Sequence, residues 1–215
     1  MDADLAKFEN QGCLVLESVF SDQRLSEIES YCTQMMGVEI GSRGLLSDEW
    51  IQHLARYLKS HTCIEPFLPK PTRAIQCNYF VKDQESNWSV TLHRDLSIPV
   101  KSKISSPDWF AWSEKQGVMY AQPPWYVLQS LVVVRVHLED NTSDNGALEL
   151  VTGSHENLEK QGKRKCFTVS KNGVLIMKPL TLHASTKVKA GQRRVLHFVF
   201  GPENLPDQAQ WRWAI

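Results

Sequence analysis

The chain has 215 residues, in which 24 lysines and arginines balance 24 aspartates and glutamates. Zero formal net charge argues against nucleic acid as a partner, since such a face needs a basic excess or stripe. Five widely spaced cysteines with no C-x-x-C exclude a disulfide framework and a zinc-ribbon pattern.

Reduced thiols of this kind suit a cytoplasmic protein. The opening MDADLAKFENQG is acidic and has no apolar segment, so a secretory signal is not expected. No run approaches the roughly 20 apolar residues of a membrane span, so no membrane partner is expected either. The length suits one domain with a sizeable core. Its expected parts are a helical support over about 1–70, a β-core over about 71–201 and a tail over 202–215. Oligomeric state has no signature in the sequence.

The first third reads as helical. In FSDQRLSEIESYCTQMMG, Leu25, Ile28, Cys32 and Met35 recur at helical spacing, with Ser21 as N-cap and Gly37 as stop. LSDEWIQHLARYLKS repeats the pattern with Ile51, Leu54, Ala55 and Leu58 after a Ser47 cap. His53 falls off that stripe and is expected at the surface. After Pro71 short segments rich in β-branched and aromatic residues predict strands at 73–81, 130–138, 147–151, 166–170, 174–178 and 193–200. Asn145-Gly146 predicts a tight hairpin turn. Residues 106–129, rich in aromatics, read as a long loop, either a functional lid or a flap over a sheet edge. Helices in front of many short strands predict a mainly β fold, a sandwich or barrel with helices packed outside.

Within WSVTLHRDLSIPV, His93 and Asp95 are two apart in a strand-like segment. Strand side chains alternate, so the two would share a face. Burying them there is costly unless something binds them, and a metal ion would. A capping aspartate beside a hydrogen-bonded histidine is the structural alternative. Further along, His183 follows a strand and the break at Pro179. Two histidines and one carboxylate have the composition of the facial triad that suits Fe(II), leaving positions open for substrate and O2. Ten residues after His183, Arg193 opens the last strand. A planar guanidinium grips a carboxylate in a bidentate way, which the far end of 2-oxoglutarate requires. A strand-end salt bridge is the alternative for Arg193 or Arg194.

The segments NWSVTLHRDLSIPV, AQPPWYVLQSLVVVRVHLEDNTSDNGALELVTGSHE and GVLIMKPLTLHASTKVKAGQRRVLHFVF together resemble the phytanoyl-CoA dioxygenase family of Fe(II)/2-oxoglutarate oxygenases. They span residues 73–201, with H-x-D, then N-G-x-L-x-x-x-x-G-S-H, then H-x-S and R-R. The resemblance implies a double-stranded β-helix, or jelly roll, flanked by helices. It implies His93, Asp95 and His183 as iron ligands and Arg193 as the anchor of the oxoglutarate tail, with Arg194 as runner-up. Lys82 matches a family lysine that helps hold 2-oxoglutarate, although it reads equally as a solvated loop lysine; Asn78 shares its strand parity. The implied reaction hydroxylates an unactivated C–H of a small molecule and releases succinate and CO2. Thr152 replaces the family's usual proline before G-S-H, and Arg94 replaces a frequent glutamine between the ligands. A cupin-like metalloenzyme without 2-oxoglutarate and a non-catalytic binding module are the rival classes.

In LVVVRVHLED, Leu131, Val133, Arg135 and His137 share one face. If that face is the barrel interior, Arg135 and His137 contact substrate or cosubstrate; otherwise Arg135 pairs with an acid such as Glu149. His155 is expected to be structural. His197 alternates with Arg193 and reads as a satisfied core histidine or a support for a ligand. Trp88 reads as pocket wall or core. The C-terminal QWRWAI is apolar enough to dock on the body or on another subunit.

Overall fold

In a computed structural model, which describes residues 2–36, 41–159 and 162–215, the chain opens with helix α1 (Asp2–Gln11) and strand β1 (Cys13–Leu16). Helix α2 (Asp22–Met36), strand β2 (Gly41–Ser42) and helix α3 (Glu49–Ser60) follow. Then come β3 (Thr72–Lys82), β4 (Val90–His93), β5 (Ile98–Val100), β6 (Phe110–Lys115), β7 (Val118–Gln122) and the short helix α4 (Trp125–Gln129). The last strands are β8 (Val132–His137), β9 (Leu148–Leu150), β10 (Lys165–Cys166), β11 (Val174–Met177), β12 (His183–Ser185) and β13 (Arg193–Pro202). None of the described helices is long and apolar enough to cross a membrane.

The strands form the antiparallel jelly roll expected from the sequence. A six-stranded sheet runs β1-β11-β8-β13-β3-β2 and a four-stranded sheet runs β10-β9-β12-β4. Strand parity sorts the large sheet into two faces. On the outer face Val134, Val136, Ile176, Leu196 and Phe198 form one apolar cluster with Leu25, Ile28, Leu54 and Leu58 of the helices. On the inner face Val133, Leu175, Met177 and Val199 pack with Leu148 and Leu150 of the small sheet. Along β8 the inner face passes from the apolar Val133 to the polar Arg135 and His137.

Helix α2 keeps the expected cap: the Ser21 hydroxyl accepts the Arg24 amide at 3.2 Å. Gly37 and the Met35 side chain lie outside the described residues. Helix α3 is capped by Asp48 rather than Ser47; the Asp48 carboxylate accepts the Ile51 amide at 3.0 Å, while Ser47 ends a 3-10 turn. The carboxylate wins because it also sits at the positive end of the helix dipole. His53 is exposed, as its place off the apolar stripe predicts.

Three other expectations are corrected. Cys13–Leu16, in the supposedly helical third, is strand β1, paired with β11. Residues 106–129 are no loop. They hold β6 and β7, which pair with β5 in a three-stranded sheet, and then α4. Asn145-Gly146 does not join paired strands, because β8 and β9 belong to different sheets. The Asn145 amide instead ties the crossover, donating to the carbonyls of Asp140 and Gln192. The C-terminal tail docks on the body: Ala74 and Ile215 exchange backbone hydrogen bonds at 3.0 and 3.1 Å, and Trp211 is buried.

Candidate metal centre and cavity

Antiparallel pairing of β4 with β12 sets His93 directly opposite His183. Their ring centroids are 4.2 Å apart. Asp95 lies just beyond the end of β4, so strand parity does not place it; its amide donates to the Pro179 carbonyl at 3.0 Å. That bond swings the carboxylate between the rings, 3.6 Å from His93 Nε2 and 3.7 Å from His183 Nε2. One donor atom from each residue lies within 4.8 Å of the others.

Each imidazole is oriented by its own backbone. Nδ1 of His93 is 2.8 Å from the Thr91 carbonyl and Nδ1 of His183 is 2.8 Å from the Thr181 carbonyl. A carbonyl only accepts, so each Nδ1 donates to it, and each Nε2 faces the space shared with the Asp95 carboxylate. Burial pushes the His183 pKa down, which keeps its ring neutral. The His93 pKa is raised, chiefly by its hydrogen bond to Asp95. Burial alone would raise the Asp95 pKa, but His183 and the His93 bond outweigh it and hold the carboxyl well below its usual range. Two imidazole nitrogens and a carboxylate converging on one space form a donor set that fits Fe(II).

These groups line a cavity of about 460 Å³ between the two main sheets. From the large sheet, register brings Asn78, His197 and Arg135 into one row across β3, β13 and β8. All three line the cavity and are buried. Arg135 and His197 bond to each other, Nη1 to Nδ1, at 2.8 Å. The alternative pairing of Arg135 with Glu149 does not occur; Glu149 accepts from Arg164 instead. Asn78 keeps a buried Oδ1 without a hydrogen-bond partner.

Arg193 and Arg194 point to opposite sides of β13. Arg193 is buried, lines the cavity and donates through Nη1 to the Gly146 carbonyl, while its Nε has no partner. Burial and the nearby Arg135 lower its pKa to about 9. Arg194 pairs with Glu139 and Glu29 on the helix side. Lys82 is opposite Arg193 in register. It is fully buried rather than solvated, and its ammonium donates to Ser185 Oγ at 2.9 Å and the Thr186 carbonyl at 3.0 Å. It stands behind the cavity wall.

Among the secondary candidates, Trp88 is a half-buried wall residue, its ring centroid 5.0 Å from Lys82 Nζ. His137 is buried with both ring nitrogens unpartnered, and it does not line the cavity. His155 is structural: its Nε2 bonds the Glu9 carbonyl at 2.9 Å. Sequence reading overlooked Arg43, Lys115 and Tyr120, which also line the cavity. For Tyr120 a signal existed, because it alternates with the buried Val118 on β7.

Comparison with known proteins agrees with this geometry. The sequence model of "Phytanoyl-CoA dioxygenase (PhyH)" matches residues 8–196. No curated protein matches the sequence. Among solved structures, the fold is similar to SnoK, a non-heme alpha-ketoglutarate-dependent carbocyclase from nogalamycin biosynthesis. The TM-score is 0.71 at 14% identity, covering 99% of this chain and 86% of that one. It is also similar to SnoN, the epimerase of the same biosynthesis (0.68, 14%, 96% and 88%). HygX of Streptomyces hygroscopicus, solved with nickel and 2-oxoglutarate, has a TM-score of 0.67 at 17% identity, with 94% and 87% covered. With a family match that spans the metal centre and the cavity, the chain belongs to the phytanoyl-CoA dioxygenase family, whose oxygenases use Fe(II), 2-oxoglutarate and O2.

Proposed function

We propose that this chain hydroxylates an unactivated C–H bond of a small molecule, with release of succinate and CO2. The convergence of His93, Asp95 and His183 in one cavity with a buried arginine that forms no ion pair among the described residues carries the reading. His93, Asp95 and His183 would hold the metal, and Arg193 would anchor the far carboxylate of 2-oxoglutarate. When bound, the metal supplies with 2-oxoglutarate and O2 the oxidising power for C–H oxygenation.

The chain's own residues position and shield. The carbonyls of Thr91 and Thr181 fix the tautomers and directions of the two imidazoles. Arg193 offers a fork of donors in a dry wall, where a carboxylate gains most from it. Asn78 and Arg135 bring further unmet polar atoms to the same wall and would help orient the cosubstrate. Lys82 would act from behind, adding positive charge and holding Ser185. We take residues 1–215 to act as one domain, and the five free cysteines to suit the cytoplasm.

The test is anaerobic addition of Fe(II) and 2-oxoglutarate, read by the weak visible charge-transfer band. The band should appear in the native protein and vanish in His183→Ala. A band unchanged in that variant removes the ligand assignment. Incorporation of label from 18O2 into an alcohol product then separates hydroxylation from ring closure or epimerisation.

A further inference from the structure

The cavity wall carries five cations, Arg43, Arg94, Lys115, Arg135 and Arg193, against one carboxylate, Asp95. Three of the five are engaged inside. Arg94 donates to the backbone carbonyls of Leu180, Ser154, Asn157 and Leu158, Arg135 bonds His197, and Arg193 bonds Gly146. Arg43 and Lys115 are different. Both are exposed at the rim, and neither forms an ion pair among the described residues.

Tyr120 stands with them. It is 3% exposed, yet its hydroxyl is buried with no hydrogen-bond partner. Lys115 Nζ lies 5.2 Å from the centroid of its ring; burial pushes the phenol pKa up, and the Arg43 charge partly offsets it. A buried hydroxyl without a partner is costly, and a buried donor normally has an acceptor to meet. Two cations and a hydroxyl donor at one rim match an anion, which accepts charge-assisted hydrogen bonds from all three. The same cavity is also lined by the apolar Leu96, Ile98, Leu131 and Val133.

We infer that the rim formed by Arg43, Lys115 and Tyr120 binds a carboxylate or phosphate of the substrate, carried on an apolar body that fills the cavity beneath. This substrate class rests on the oxygenase reading of the same cavity. The apolar body would bring its C–H bonds toward His93, Asp95 and His183, while the anion fixes which carbon arrives there.

Anaerobic protein loaded with Fe(II) and 2-oxoglutarate is titrated calorimetrically with decanoate, decyl phosphate and decanol. One charge-assisted contact predicts that the better anion binds about tenfold or more tightly than the alcohol. Whether decanoate or decyl phosphate wins tells the carboxylate from the phosphate. Lys115→Gln and Arg43→Gln, both at exposed positions, should each weaken that anion by about tenfold and leave decanol unmoved. Tyr120→Phe should act in the same direction. Equal binding of anions and alcohol, no binding of either anion, or anion affinity unchanged in both charge variants overturns the inference. Absence of the visible band on loading would count against the oxygenase reading instead. The titrations of native and variant protein without metal or cosubstrate would then still decide the anion site.

Discussion

Arg94 holds the carbonyl of Leu180, its Nε donating at 2.8 Å. Its Nη2 donates to the carbonyls of Ser154 at 3.0 Å and of Asn157 and Leu158 at 3.3 Å. The residue between His93 and Asp95 therefore ties their loop to the segment that leads to His183. Groups that orient metal ligands are worth about 10–100-fold in metal affinity. Arg94→Ala should weaken metal binding by that amount, measured by Co(II) titration. Arg94→Gln keeps one donor within the loop and should lose less. Unchanged affinity in Arg94→Ala would show that the loop holds its shape without the clamp.

The two neighbouring arginines should separate cleanly by assay. Arg193→Ala removes the buried guanidinium and should raise the KM for 2-oxoglutarate by about 100-fold, the cost of stranding one partner of a buried charge pair. Arg194→Ala should leave that KM unchanged and cost only about 1–2 kcal/mol of stability, because its pair with Glu139 is partly exposed. Equal KM effects from both would refute the assignment of Arg193.

Lys82 predicts a pH dependence of stability. Burial, with Arg193 and Arg135 nearby, lowers its pKa to about 7, against about 10.4 in an unfolded chain. Between those values the unfolded chain holds the extra proton, so unfolding free energy rises with pH across that window. Below pH 7 both states are protonated, and the cost of burying the charge is present in full. Native protein should therefore gain on Lys82→Met by about 2–4 kcal/mol from pH 7 to 10. Parallel denaturation curves for the two proteins would contradict the buried, depressed lysine.

Gly12 links the N-terminal turn to the metal centre. Its φ is +72°, and a Cβ there would lie 2.4 Å from both His155 Nδ1 and Thr181 Oγ1. Thr181 donates its hydroxyl to the Gly12 carbonyl at 3.0 Å and lends its own carbonyl to His183. Gly12→Ala should cost about 3 kcal/mol or more through strain and clash. It should also weaken metal binding. A stable variant with native metal affinity would mean that Thr181 shifts without moving His183.

Local pattern by itself determined much of this protein. The period of 3.6 in Leu25, Ile28, Leu54 and Leu58 and the period of 2 in β8 and β13 are imposed by which face meets the core, so helices, strands and a sandwich or barrel were legible, and the family resemblance narrowed these to the jelly roll. The H-x-D and H-x-S motifs named three metal-binding candidates, and the guanidinium that opens the last strand added Arg193. Tertiary structure alone decided what depends on long-range register and on desolvation. Pairing of β4 with β12 brings His93 and His183 together across 90 residues of chain, which no local signal encodes. Likewise the placing of Arg193 in the cavity and Arg194 on the helix side follows from which face of β13 the second sheet covers. Lys82 reads as solvated in a polar stretch, yet β3 runs on and buries it. Arg43, far in sequence from Lys115 and Tyr120, lines one cavity with them only in the folded chain. Sequence carries the chemistry of each side chain; distance and burial, which set what that chemistry does, exist only once the sheets have packed.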